Sequence, residues 1–128
     1  MRVNPVAFYI NLFCNTNNLV LDVGGDGTMA FERSNNGICA WLYGASWGPQ
    51  SMRATNARQA AYKAALLGLG VHTIEGITAQ SNTLAKKAME RSGMKYRGRL
   101  PGALWYNGER TEGAWFEITR EDLGLPPV

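Results

Sequence analysis

The chain has 128 residues, 45% of them hydrophobic and 18% charged. That is the composition of one globular domain (residues 1–128), large enough to bury a core without disulfide staples, and it excludes disordered and fibrous classes. No apolar run approaches the roughly 20 residues that cross a bilayer, so the expectation is a cytoplasmic protein with no membrane partner. The net charge of +3 hides an asymmetry. Residues 53–99 hold nine Lys or Arg against Glu75 and Glu90, a local balance of +7, whereas residues 1–52 sum to −1 and those after Arg99 to −3. Such a field suits an anionic ligand with several phosphates or a nucleic acid, and it is equally the pattern of a solvated helix face.

In chain order, residues 4–15 are predicted as a short helix, with Pro5 in the first turn, where a missing N–H costs nothing. The apolar stretch 6–13 is interrupted by Asn11 and followed by Cys14, Asn15 and Thr16 rather than a cleavage site. It reads as an element of the fold and not as a secretion signal. Residues 19–23 and 28–33 are strands joined by Gly24-Gly25-Asp26-Gly27, a hairpin signal. Asn35-Asn36-Gly37 turns into a third antiparallel strand, 38–46, which carries Trp41 and Tyr43.

From Thr55 the period changes. Ala57, Ala60, Ala61, Ala64, Ala65 and Gly68 recur at helical spacing. Thr55 or Asn56 is the expected cap, and Gly68 and Gly70 are the expected stop. Residues 73–79 are a strand. Asn82 caps a second helix with Leu84, Ala85, Ala88 and Met89 as its buried stripe, Lys86, Lys87, Glu90 and Arg91 on the wet face, and Gly93 closing it. Segments 95–99 and 103–106, the Asn107-Gly108 turn and segment 114–119 complete a sheet. The order αβββαβαββ is an α/β (α+β) fold, a mixed twisted sheet around a central βαβ unit. Strands 38–46 and 73–79 are then parallel neighbours joined by a right-handed crossover.

Cys14 and Cys39 have no partner His spacing and read as reduced structural residues, with no disulfide and no metal site. The four tryptophans are expected in the core, with an interface as the alternative.

The stretch 60–78, which runs through Gly68-Leu69-Gly70-Val71-His72-Thr73-Ile74-Glu75, is followed by Asn82 and by Met89-Glu90-Arg91-Ser92-Gly93-Met94. Gly98, Asn107-Gly108 and Trp115-Phe116-Glu117-Ile118 come next. In this order and spacing, residues 57–122 resemble the GNAT acyl-CoA N-acyltransferases, in the ribosomal-protein acetyltransferase-like branch. Reduced phage-type GNAT-like proteins are similar in kind. The resemblance implies a GNAT fold, N-terminally shortened, whose strand before the crossover helix splays from its parallel neighbour to admit acetyl-CoA. It implies that residues 40–44, including Ala40, Trp41 and Leu42, face the pantetheine. Residues 50–56, including Gln50, Arg53, Ala54, Thr55 and Asn56, would form the pyrophosphate loop at a helix N-terminus, where unpaired N–H groups and the dipole favour anions. Asn82 would lie near the thioester, its other role being a plain helix cap.

Two features depart from the family pattern. Arg53 and Thr55 stand where the phosphate loop has small residues, so that Arg53 either blocks the phosphate or binds it by charge. Strand 38–46 has no carboxylate for a general base, and the position of the usual tyrosine acid falls near Met89. Tyr43 and Tyr96 are the candidate catalytic residues, with Glu32 and His72 behind them.

Two functions remain open. One is an acetyl-CoA-dependent N-acyltransferase acting on an amine of a protein or small molecule, by direct attack in a ternary complex. The other is a catalytically degenerate GNAT-fold binding protein, such as an internal or head-associated virion component of a bacteriophage. A homo-oligomer or assembly partner would complete the shortened acceptor wall. Nucleic acid is disfavoured, because no basic and aromatic repeat or known module is present.

Overall fold

The computed structural model describes residues 18–46 and 49–128; the helix expected over residues 4–15 lies outside them. Strands β1 (Leu19–Asp22), β2 (Gly27–Arg33) and β3 (Cys39–Ser46) run antiparallel in succession. Helices α1 (Pro49–Arg53) and α2 (Thr55–Leu69) follow, then β4 (Thr73–Ala79), α3 (Thr83–Arg91), β5 (Lys95–Tyr106) and β6 (Glu109–Thr119). The strands form one mixed sheet in the order β1-β2-β3-β4-β6-β5, with β3 and β4 the parallel pair. The βαβ unit expected from the change of period is therefore present.

Local departures from expectation have physical causes. The segment read as a loop opens with α1, because Pro49 is preset for a first helical turn and the Gln50 N–H donates to the Asp26 carboxylate at 2.8 Å. The chain passes from α1 into α2 with only Ala54 out of helical form, so Ala54, not Thr55 or Asn56, is the cap residue, and no side chain caps the first turn. Gly68 stays within α2, and Gly70, at φ 65°, ends it. In α3 the Asn82 side chain accepts from the Ala85 N–H at 3.2 Å, as a cap should. Leu84, expected in the buried stripe, is 72% exposed. Successive helical residues turn by about 100°, which swings Leu84 off the stripe that Ala85, Ala88, Met89 and Ser92 define.

Segments 95–99 and 103–106 belong to one strand with irregular register between Leu100 and Leu104. Pro101 falls there, on an edge strand, where a missing N–H is tolerated. Asn107 and Gly108, both at positive φ, form the two-residue turn into β6.

Both long helices pack on one face of the sheet. Phe31, Ala40, Ile74, Phe116 and Ile118 meet Ala61, Tyr62, Ala65 and Leu66 of α2 and Met89 of α3 in the core; each large side chain contributes about 2 kcal/mol. The buried Ser92 hydroxyl donates to the carbonyls of Ala88 and Met89 and accepts from the Tyr62 hydroxyl at 2.7 Å, which ties α2 to α3. Of the described tryptophans none is buried: Trp41 and Trp115 are half-buried and Trp105 is 59% exposed. The core expectation for tryptophan does not hold for these three. Cys39 is a free thiol, and no group of described residues could hold a metal ion. No described helix is long and apolar enough to cross a membrane.

The basic excess of residues 53–99 is partly cancelled in three dimensions. Lys95 pairs with Asp122 at 2.6 Å, Arg97 with Glu117 at 2.8 Å, and Arg99 with Glu112. The acidic C-terminal segment thus neutralises β5, and the concentrated positive field read from the chain is smaller than its sequence count.

Candidate functional site

The parallel pair is short. β3 and β4 are in register only at Cys39↔Thr73, Ala40↔Ile74 and Trp41↔Glu75. Beyond that point each strand keeps its other partner: Leu42 through Ser46 stay paired with β2, and Gly76 through Ala79 with β6. The sheet therefore opens into a V whose apex is Trp41 and Glu75. Over it lies a cleft of ≈ 260 Å³ between α2 and α3. Leu42 and Gly44 line one side, Ile77 and Thr78 the other, with Met29 beneath, Arg58 from α2, and Asn82, Ala85 and Met89 from α3. A Cβ on Gly44 would meet nothing within 4 Å, and one on Gly76 would press on the end of the Met89 side chain.

The cleft is apolar except for Thr78, Asn82 and Arg58. Arg58 is 8% exposed, and its Nε has no hydrogen-bond partner. The only other buried arginine, among the described residues, is built differently. Arg120 donates to the carbonyls of Val71, Leu66 and Pro126 at 2.7–3.1 Å.

Register places a second set of groups on the face away from α2 and α3. Glu32 is opposite Trp41, and Trp41 is opposite Glu75, so two carboxylates flank the indole in one row at the apex of the V. Tyr43, two residues along β3 on that face, donates to Glu32 at 3.5 Å. Burial first, then the charge of Glu32, holds the Tyr43 phenol above its ordinary pKa. Burial also raises the Cys39 thiol; a bond to Ser34 opposes this, and Glu75 adds to the rise. Cys39 is therefore a poor nucleophile. Glu32 and Trp41 also border an open depression of ≈ 660 Å³ with Asn18, Arg33, Ser34 and Asn35.

Of the residues singled out in the sequence, Leu42 and Asn82 line the cleft. Ala40 is fully buried below it, and Trp41 faces the other side. Gln50 and Arg53 lie exposed on α1, while Ala54, Thr55 and Asn56 form the start of α2. Tyr43 stands beside Glu32. Tyr96 does not join them: β6 separates β5 from β4, a distance of roughly 10 Å. Tyr96 instead accepts from Gln80 and stacks edge-on with Phe116. His72 sits at the opposite end of β4 from the V, bonded to Thr73 and Glu121. Sequence reasoning passed over Arg58 and Glu75. Arg58 had a signal, since it precedes Ala61 and Tyr62 by three and four residues and so falls on the stripe that α2 buries. Glu75 had none, because its neighbour across the sheet is fixed only by register.

No protein-family model matches the sequence, and no curated protein does. Solved structures match the fold. RimJ of Mycobacterium smegmatis, in complex with CoA-disulfide, aligns with a TM-score of 0.67 at 20% identity over 77% of this chain and 49% of its own. Ribosomal-protein-S5-alanine acetyltransferase of Vibrio fischeri aligns at 0.69 and 13% identity, over 92% and 70%. A variant of spermidine N-acetyltransferase SpeG of Vibrio cholerae aligns at 0.69 and 17% identity, over 94% and 77%. The chain has the GNAT fold. The GNAT likeness rests on three-dimensional shape at low identity, and the chain spans about half the length of the Mycobacterium protein. The splayed pair β3/β4 and the flanking helices α2 and α3 are parts of this GNAT scaffold.

Proposed function

We propose that the chain is an acyl-CoA-dependent N-acyltransferase that transfers an acetyl group to an amine of a protein or small molecule. The observation that carries this is the V between β3 and β4, which opens a cleft on the face of α2 and α3, with two carboxylates and a protonated phenol on the other face at and beside its apex. The residues present fit a coenzyme A thioester. Gly44 leaves its side of the cleft open, Leu42, Ile77 and Met89 supply apolar walls, and the first-turn amides of α2 have no side-chain cap. The thioester supplies an activated acyl carbonyl with a good leaving group.

The chain's own contribution is positioning and proton handling. Glu32 and Glu75 at the apex attract the cationic amine; one takes the proton whose loss frees the lone pair, and the other takes the second N–H proton as the C–N bond forms. Tyr43 keeps its proton at neutral pH and can give it to the thiolate as the C–S bond breaks. Exclusion of water by Leu42, Met89 and Ile77 favours the amine over hydrolysis.

Isothermal titration with acetyl-CoA and CoA tests the reading. Micromolar binding is expected, and Gly44→Val, which fills the cleft from a position with free space and ordinary φ, should abolish it while leaving the melting temperature within a few degrees. A folded protein that binds neither ligand sinks the acyltransferase reading. A second reading, a GNAT-fold binding protein without catalysis, is favoured by one observation: the Asp26 carboxylate already occupies the Gln50 amide at the head of α1, where an incoming phosphate would otherwise be offered a donor.

A further inference from the structure

Arg58 is the fourth residue of α2 and begins its buried stripe, ahead of Ala61, Tyr62, Ala65 and Leu66. A buried guanidinium that keeps its charge needs acceptors, since an unpaired buried cation costs more than almost any apolar replacement. Arg120 shows how this chain satisfies one when the role is structural, with three backbone carbonyls. Arg58 has nothing comparable among the described residues. Its Nε is unpartnered, no ion pair reaches it among the described residues, and no carboxylate lines the cleft it faces.

We infer that Arg58 is the specificity-determining residue of the cleft, binding an oxyanion group of the ligand, a phosphate or a carboxylate. The inference rests on the cleft being the donor site. It deepens that reading by naming the group recognised and the residue that recognises it. Exposed Arg53 on α1 is then dispensable, because charge is supplied from inside the cleft. A charge-assisted contact of this kind changes affinity by roughly tenfold or more.

The experiment is a set of calorimetric titrations at low salt with inorganic pyrophosphate, CoA, acetyl-CoA and succinyl-CoA, on the wild type, Arg58→Met and Arg58→Lys. Arg58→Met is expected to lose about tenfold or more in affinity for pyrophosphate and for every CoA form, and Arg58→Lys to restore most of it. The ligand-free melting temperature of Arg58→Met is expected to be unchanged or higher, which a structural arginine would not give. A loss confined to succinyl-CoA also supports the inference and identifies the oxyanion as a carboxylate of the acyl chain. Equal affinities in wild type and Arg58→Met overturn it. So does loss of binding in both variants alongside a lowered melting temperature, which marks a packing role. A wild type that binds pyrophosphate through Arg58 but no CoA form removes the donor-site reading and leaves the oxyanion site standing; one that binds no probe removes both.

Discussion

Arg58 and Arg120 are both buried, and they divide the labour of this chain between ligand and fold. Arg120 holds the C-terminal end of α2 through the Leu66 carbonyl, the α2–β4 connection through Val71, and the chain's last residues through Pro126. Arg120→Ala strands those acceptors in a buried place, and the expected cost is about 3 kcal/mol, measured by chemical denaturation. A cost under 1 kcal/mol would mean that water replaces the guanidinium. Tyr43 gives a test of proton handling at the same scale. Its folded-state pKa lies above the ordinary tyrosine value, through burial first and Glu32 second. The folded state therefore holds the proton more tightly. Stability from this group is fully present below the ordinary value and is lost as pH rises from there through the higher folded value. An ultraviolet difference titration of wild type against Tyr43→Phe should show Tyr43 ionising above the ordinary tyrosine value; an early phenolate would remove it as the proton donor. Glu32→Gln should bring its ionisation closer to the ordinary value.

Among the elements, α3 shows how one side chain carries two duties that separate cleanly. Asn82 accepts from the Ala85 N–H and also lines the cleft. Asn82→Ala should cost about 1 kcal/mol of stability. Asn82→Asp keeps the cap and favours the helix dipole, so the melting temperature should recover. If acetyl-CoA affinity recovers with it, the residue is only a cap; if affinity stays low, the amide itself touches the ligand. The element order, both long helices and the two-residue turn at Asn107-Gly108 were legible because each depends on local signals: period, caps and positive-φ residues. α1 was not, because its five residues are too few for a period and rest on a bond to Asp26 from a distant turn. The exposed Leu84 shows the limit of composition within a helix. An apolar residue one step off the stripe is turned to water by geometry that its identity does not reveal.

For the molecule as a whole, the C-terminal segment acts as a clasp as well as a counter-charge. Asp122 accepts from Lys95 at 2.6 Å and from the Thr119 N–H at 3.0 Å. Burial works to raise its pKa, but the bonds from Lys95 and Thr119 outweigh it and hold the carboxyl below the ordinary aspartate value. The stability it adds is therefore present above that ordinary value and is lost as pH falls through the lower folded one. Acid unfolding of Asp122→Asn should show a shallower loss of stability in that window than the wild type, with lower stability at neutral pH. Parallel curves for the two proteins would mean that the clasp does not contribute.

What the sequence determined by itself was the six strands, the two long helices, their order and the GNAT likeness, because hydrophobic period, turn residues and caps are near-neighbour properties written along the chain. It also marked Leu42 and Asn82, which do line the cleft. Only the tertiary structure decided that the parallel pairing stops at Trp41 and Glu75, that Glu32 and Glu75 share a row with Trp41, that Tyr96 lies two strands away from the V, and that Arg58 rather than Arg53 enters it. Each of these is a relation between residues brought side by side by strand register or helix packing. Register is set by the whole sheet closing on one core, and no local stretch of sequence contains that information.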